Sequence, residues 1–356
     1  MIFFIIKSQI KKILLLLFLL NIFSYSAVLA EGPVVTEGFD EVVIIAADHN
    51  VWAEFFNSHA GWQIIDEGIS DKNWMEYWGL SNYQANYKLY QNPGTNKGRV
   101  RVIRFKNSDG RIAPSIRPHS QSWDTGGIFD FNLRVKDLDY VNKSMTLSGW
   151  KAPTEPIEFR FGKFHVKEWL PVGPDSVQLA LIERISPSLK GWPALNKMSR
   201  TFNATMIVDD LPAAEKFWRD MLGFKIYLYH KGASPEPGNN VLGLPHNLAS
   251  SIHREVYVLH PKGKNDGSIE LLKFHGATGR DFSKHTDVPN RGISSLRFSV
   301  EDIDKLLLRA EKFGFTPIMK AENLDFLPDQ KADFVALRAP GGAIIEFYHV
   351  LDKGNQ

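Results

Sequence analysis

In the stretch SSIHREVYVLH, His253, Glu255 and Tyr257 fall at alternate positions, so a strand carries all three on one face. An imidazole beside a carboxylate and a phenol can exchange a proton near neutral pH. His253 is therefore the first choice for a general base, with Tyr257 beside it as a substrate contact. His246 sits in a GLPHN turn, and His349 follows Glu346 by three, which puts them on opposite faces of a strand. A lone histidine is more often surface or hydrogen-bonded core than ligand. A second cluster, NWMEYWGLSNYQANYKLY, brings Trp74, Tyr77, Trp78, Tyr83, Tyr87 and Tyr90 close in sequence. Its tyrosines could line a pocket for a flat ligand, or the whole stretch could be core between modules. No phosphate-cradling glycine loop or Ser-His-Asp spacing is found, and with no cysteine there is no thiol site or disulfide.

The elements that position such groups begin after residue 30. Residues 1–30 have a basic head (Lys7, Lys11, Lys12), an apolar run from Ile13 to Phe23, and Val28 with Ala30 before the expected cleavage point. This pattern predicts a signal peptide, a mature start at Glu31, and export to the periplasm or outside the cell. About 326 residues remain, enough for two domains with cores of their own. A net charge of +2 from 42 basic and 40 acidic residues provides no field for nucleic acid, or for a membrane once the signal is removed. A small-molecule partner is expected, with the chain acting as a monomer or homodimer.

The mature chain repeats itself. The unit NATMIVDDLPAAEKFWRDMLGF reads as a strand, an Asp cap at Asp210, an amphipathic helix and a stop at Gly223. Copies are centred on Asp48, Asp137 and Asp302 and end at Gly61, Gly149 and Gly314. Asp48 to Asp137 is 89 residues and Asp210 to Asp302 is 92, whereas Asp48 to Asp210 is 162 and Asp137 to Asp302 is 165. Four modules in two consecutive pairs follow, each a strand, a helix and about three further strands. The expected division is 36–186 for the first domain, 187–199 for a Pro/Gly/Ser-rich linker, and 200–352 for the second domain.

With VDDLPAAEKFWRDMLGF and the closing APGGAIIEFYH in place, the chain resembles the vicinal oxygen chelate superfamily of glyoxalases, bleomycin-resistance proteins and extradiol dioxygenases. The resemblance covers about residues 36–351. It implies an α+β fold in which βαβββ modules pair into two half-barrels, each around a cleft. It also implies ligand positions on the first and last strands of each module, which here are Glu41 and Arg101, Asp130 and Gln178, Asn203 and Glu270, and Ser295 and Glu346. None is histidine, so a zinc or iron site of the usual kind is not expected. Arg101 would repel a metal, making the first domain mainly structural; it could instead pair with Glu41 or Asp130, or clamp a substrate carboxylate.

The expected site is the second domain. Glu270, Glu346 and His253 are the catalytic candidates there, and Asn203, Ser295 and Tyr257, with Arg101 of the first domain, are the substrate-binding candidates. Glu270 and Glu346 in one cleft would either share a proton or hold Mn²⁺, Mg²⁺ or Ca²⁺; alternatively they lie apart or are paired with Lys and Arg. The resemblance leaves two functions open: a lyase, isomerase or dioxygenase acting on a small organic molecule, or non-catalytic sequestration of one.

Overall fold

The computed structural model describes residues 33–192 and 195–351; the segment read as a signal peptide lies outside them. No helix among the described residues is long and apolar enough to cross a membrane.

The first module contains β1 (Glu41–Ile45), α1 (His49–Glu54, continuing as a wider turn through Phe55–Ala60), β2 (Gln63–Ile69), α2 (Lys72–Tyr77), β3 (Gln84–Gln91) and β4 (Arg99–Lys106). The second contains β5 (Asp130–Val135), α3 (Leu138–Leu147), β6 (Ile157–Phe161), β7 (Phe164–Trp169) and β8 (Gln178–Ser186). In the third are β9 (Met198–Ile207), α4 (Leu211–Glu215, continuing through Lys216–Met221), β10 (Lys225–Gly232), β11 (His253–His260) and β12 (Ser268–His275). The fourth holds β13 (Gly292–Ser299), α5 (Ile303–Lys312), β14 (Pro317–Leu327), β15 (Gln330–Arg338) and β16 (Ile344–Val350).

The punctuation of the repeat is physical in all four copies. Asp48, Asp137, Asp210 and Asp302 each accept a backbone N–H of the helix they precede. Gly61, Gly149, Gly223 and Gly314 all take the left-handed conformation that ends the helical segment.

The strands form two eight-stranded sheets, but their partners differ from the chain-order expectation. One sheet runs β14-β15-β16-β13-β1-β4-β3-β2 and joins the first module to the fourth; the other runs β10-β11-β12-β9-β5-β8-β7-β6 and joins the second to the third. The seams are antiparallel pairings of first strands, β1 with β13 and β5 with β9. The short link at 187–197 leads from β8 into a strand of the same sheet, while the longer segments 107–129 and 276–291 cross between sheets. The two crossing segments bridge each other, Thr125 opposite Asp281 and Asp124 bound to Arg280.

Alternation assigns the two faces of each sheet. Val42, Ile44, Leu296, Phe298, Ile345 and Phe347 of one sheet, and Phe131, Leu133, Leu179, Leu181, Ala204 and Met206 of the other, join the helices in one continuous core. The opposite faces, carrying most of the buried polar residues of β1, β5, β9 and β13, line two separate clefts.

Candidate functional site

The cleft between the first and fourth modules is filled. Arg297 on β13 lies fully buried between two carboxylates, with Nη1 2.7 Å from Glu41 Oε1 and Nε 2.8 Å from Glu346 Oε2. Arg101 Nε donates to Glu41 Oε1 at 2.8 Å, and its Nη2 donates to the Phe326 carbonyl at 3.0 Å. Ser295 Oγ and Tyr77 Oη donate to the two oxygens of Glu346 at 2.6 and 3.0 Å. The surrounding arginines hold the Glu41 carboxyl down at about 2 against the effect of its burial.

Above this network α2 acts as a plug. Trp74 packs 4.9 Å from Trp78 and 5.0 Å from Phe334, its indole N–H donates to the Asp325 carbonyl, and its ring lies 5.1 Å from the Arg297 guanidinium. Only about 10 Å³ remains among Val43, Ser295, Glu346 and their neighbours. The aromatic stretch is thus core: Tyr90 stacks on Phe56 and Tyr87 covers Arg101. Glu346, Ser295 and Arg101 are occupied by one another's network, and a cation has no open acceptor there.

The cleft between the second and third modules is built differently. Strand register places Asp130, Asn132 and Arg134 of β5 on its inner face with Asn203 and Thr205 of β9. Glu270 of β12 faces Thr205 and Val258, and Glu168 of β7 faces Ile182, the partner of Arg134. The edges of this sheet approach each other, His230 of β10 lying 4.9 Å from Phe161 of β6. Within the enclosure Glu168 and Glu270 keep some accessible area, and neither has a side-chain hydrogen bond or ion pair among the described residues.

No cation is paired with Asp130, Glu168 or Glu270 among the described residues. Loss of water pushes Asp130 up to about 7 despite hydrogen bonds from Thr205. The same desolvation, reinforced by repulsion from Asp130 and only partly offset by Arg134, pushes Glu168 up to about 8, and repulsion from both neighbours adds to burial at Glu270, also about 8. Several inward atoms lack a partner: Asp130 Oδ1, Asn132 Oδ1, Asn203 Oδ1, and the Nε of Arg134 and Arg184.

The expected site residues therefore separate. Glu270 and Asn203 share this cleft, Asn203 donating to Ser268 Oγ at 2.8 Å. Glu346 and Ser295 belong to the other sheet, because the fourth module pairs with the first. His253 and Tyr257 are cross-strand partners of His275 and Leu271, on the face of β11 opposite Val258 and Glu270. His253 is exposed there, and the intervening Glu255 is taken up by Tyr229, His275 and Lys231. Gln178 pairs directly with Asp130, whereas the place corresponding to Arg101, Glu270 and Glu346 falls two residues later, at Ala180.

The residues missed from sequence are Glu168, Arg134, Arg184 and Arg297. The alternation Asp130-Asn132-Arg134 inside an otherwise apolar strand was a usable signal for Arg134; Glu168 had none, since its strand reads as half-exposed.

The family's usual ion does not fit either cleft. In one the acceptors are bound to guanidinium groups; in the other Ala180 offers no donor, and no group of three or more His, Cys, Asp or Glu among the described residues could hold a metal.

Residues 200–347 match the profile of the Glyoxalase/Bleomycin resistance protein/Dioxygenase superfamily. The third and fourth modules carry this superfamily's profile. The fold is shared with a mutant form of glyoxalase I from Zea mays, 15% identical, with a TM-score of 0.58 over 91% of this chain and 96% of that one. Glyoxalase I from the same organism, 14% identical, gives a TM-score of 0.55 over 88% of this chain and 92% of that one. A putative dioxygenase from Bacillus subtilis is 10% identical, with a TM-score of 0.52 over 88% of this chain and 86% of that one. At these identities the likeness concerns the fold alone. No curated protein matches the chain.

Proposed function

We propose that this protein binds a small organic molecule in the cleft between its second and third modules, and that Glu270, backed by Glu168 and Asp130, exchanges a proton with it. One observation carries the reading: three carboxyl groups, none in an ion pair among the described residues, face one cleft where burial outweighs the pull of Arg117 on Asp130 and of Arg134 on Glu168 and raises all three towards neutrality. A carboxyl with a pKa of about 7 to 8 is divided between its acid and base forms at working pH, which suits proton transfer in either direction. Asn203 and Asn132 offer amide oxygens that can orient donors on the ligand. No step is assigned to a metal, because the donor set does not suit one.

The test is to identify co-purified ligand by native mass spectrometry and follow its conversion by the parent and Glu270→Gln. Conversion lost in Glu270→Gln with binding retained supports proton exchange; unaltered conversion sinks it. The second reading, capture without chemistry, is favoured by the same unpartnered acceptors and expects ligand to be retained without conversion. The composition of residues 1–30 supports export of the mature protein, and Edman sequencing beginning at Glu31 is the expected result.

A further inference from the structure

The geometry points to an anion subsite at the Arg134 end of this cleft, made by Arg134 and Arg184, that takes the carboxylate of a small hydroxylated organic acid. This rests on the cleft being the ligand site, and it names the class of ligand.

Arg134 is 4% exposed, yet its guanidinium has neither an ion pair nor a hydrogen bond among the described residues. Its plane is supported by Phe202, with Cζ 4.1 Å from the ring centroid. Arg184, on the same inner face and one register step further along β8, is supported in the same way by Phe164 at 4.1 Å, and its Nε is also buried without a partner.

Two neighbouring guanidinium groups repel each other, and burial lowers both from their ordinary value, Arg134 to about 9. Glu168 acts on Arg134 from a distance without forming an ion pair, and the phenol of Tyr227, on the edge strand β10, is within electrostatic reach of both guanidinium groups. Contrast the other cleft, where each guanidinium in contact with Glu41 or Glu346 already has its carboxylate. Unpaired buried charge of this kind destabilises a fold, and an anionic ligand removes that cost on binding. Fixed planar donors suit a carboxylate.

The rest of the ligand is described by the remaining orphans. Asn132 Oδ1 and Asn203 Oδ1, opposite each other across the β5-β9 seam, have no donor. A hydroxyl on the body of the acid supplies one. Beyond them lie the protonatable carboxyls, which in their neutral form do not compete for the arginines.

Calorimetric titration of the full chain at pH 7 and low salt, with lactate, 3-phenyllactate, the primary amide of each, and inorganic phosphate, tests this. We expect at least one acid to bind at least tenfold more tightly than its amide and than phosphate. Arg134→Met and Arg184→Met should each abolish that preference while melting no lower than the parent, since each removes an unpaired buried cation. Should Arg134→Met not fold, the less buried Arg184→Met provides both readouts. The inference is overturned if neither acid is preferred, if phosphate binds best, or if the preference survives in the arginine variants. The proton-exchange reading is tested separately by the loss of conversion of the co-purified ligand in Glu270→Gln, so a failed subsite with that loss observed leaves it standing.

Discussion

Glu270 and Glu346 sit at the same register place in their modules, each opposite a residue two beyond the module's leading polar position, and they live in opposite surroundings. Glu346 accepts from Arg297, Ser295 and Tyr77; Glu270 faces Thr205 and Val258 with acids nearby. Neutralising each should therefore move stability in opposite directions. Glu346→Gln strips Arg297 of a buried partner and should cost about 3–5 kcal/mol, measured by urea unfolding at pH 7. Glu270→Gln removes a group that resists ionisation and should be near neutral at pH 4 and increasingly stabilising as pH rises from 5 to 8, by about 1 kcal/mol or more at pH 7. Equal losses in both variants would show that the two clefts are electrostatically alike. Sequence made the two glutamates equivalent because it reports chemical type and spacing; which cations surround a carboxylate depends on strands far away in the chain.

Among the elements, the insertion between β2 and β3 decides the fate of one cleft. The notable run of aromatic residues could be read as pocket or core, and α2 turns it inward as core. The corresponding insertion of the third module, 233–252, carries Leu244 and Ile252, which pack with Phe129, Leu272 and Phe274 at one end of the other cleft. Trp74→Ala should cost about 3–5 kcal/mol and expose Arg297 to water. Ligand binding in the other cleft should persist in that variant, checked by calorimetry, because the two hollows are formed by separate sheets. Another element-level dependence lies at the turn before β4. Gly98 has φ +61, and an added Cβ would come 2.2 Å from the Thr201 carbonyl oxygen, so Gly98→Ala should lower the melting temperature sharply. The helix caps and stops were legible from single residues because they are local geometry. The face of β11 was not, since alternation places His253, Glu255 and Tyr257 together without saying which side meets the cleft.

For the whole molecule, the crossed pairing predicts how the chain comes apart. Each sheet takes one module from each half, so cutting an engineered protease site between 187 and 197 should leave the halves associated on gel filtration. Independent elution of two folded halves would contradict the strand order. A second molecular property is the pH dependence of stability. Asp130, Glu168 and Glu270 have raised folded-state values, so their contribution is complete below about pH 4 and is lost as pH rises through 7 to 8. Glu41, held at about 2, contributes above its ordinary value and is lost as pH falls towards 2. Thermal melting from pH 3 to 9 should therefore peak in the mildly acidic range and decline through neutrality.

The sequence by itself determined the four modules, their helix caps and stops, the α+β half-barrel fold and the absence of histidine from the ligand positions, since each is written in local periodicity or residue type. Tertiary structure alone decided which module completes which sheet, and with it that Glu270 meets Asp130 and Glu168 while Glu346 meets Arg297 and Glu41. The modules are similar enough to pair in more than one way. The choice rests on first-strand seams and crossing segments that act over the full length of the chain, where local sequence pattern carries no information.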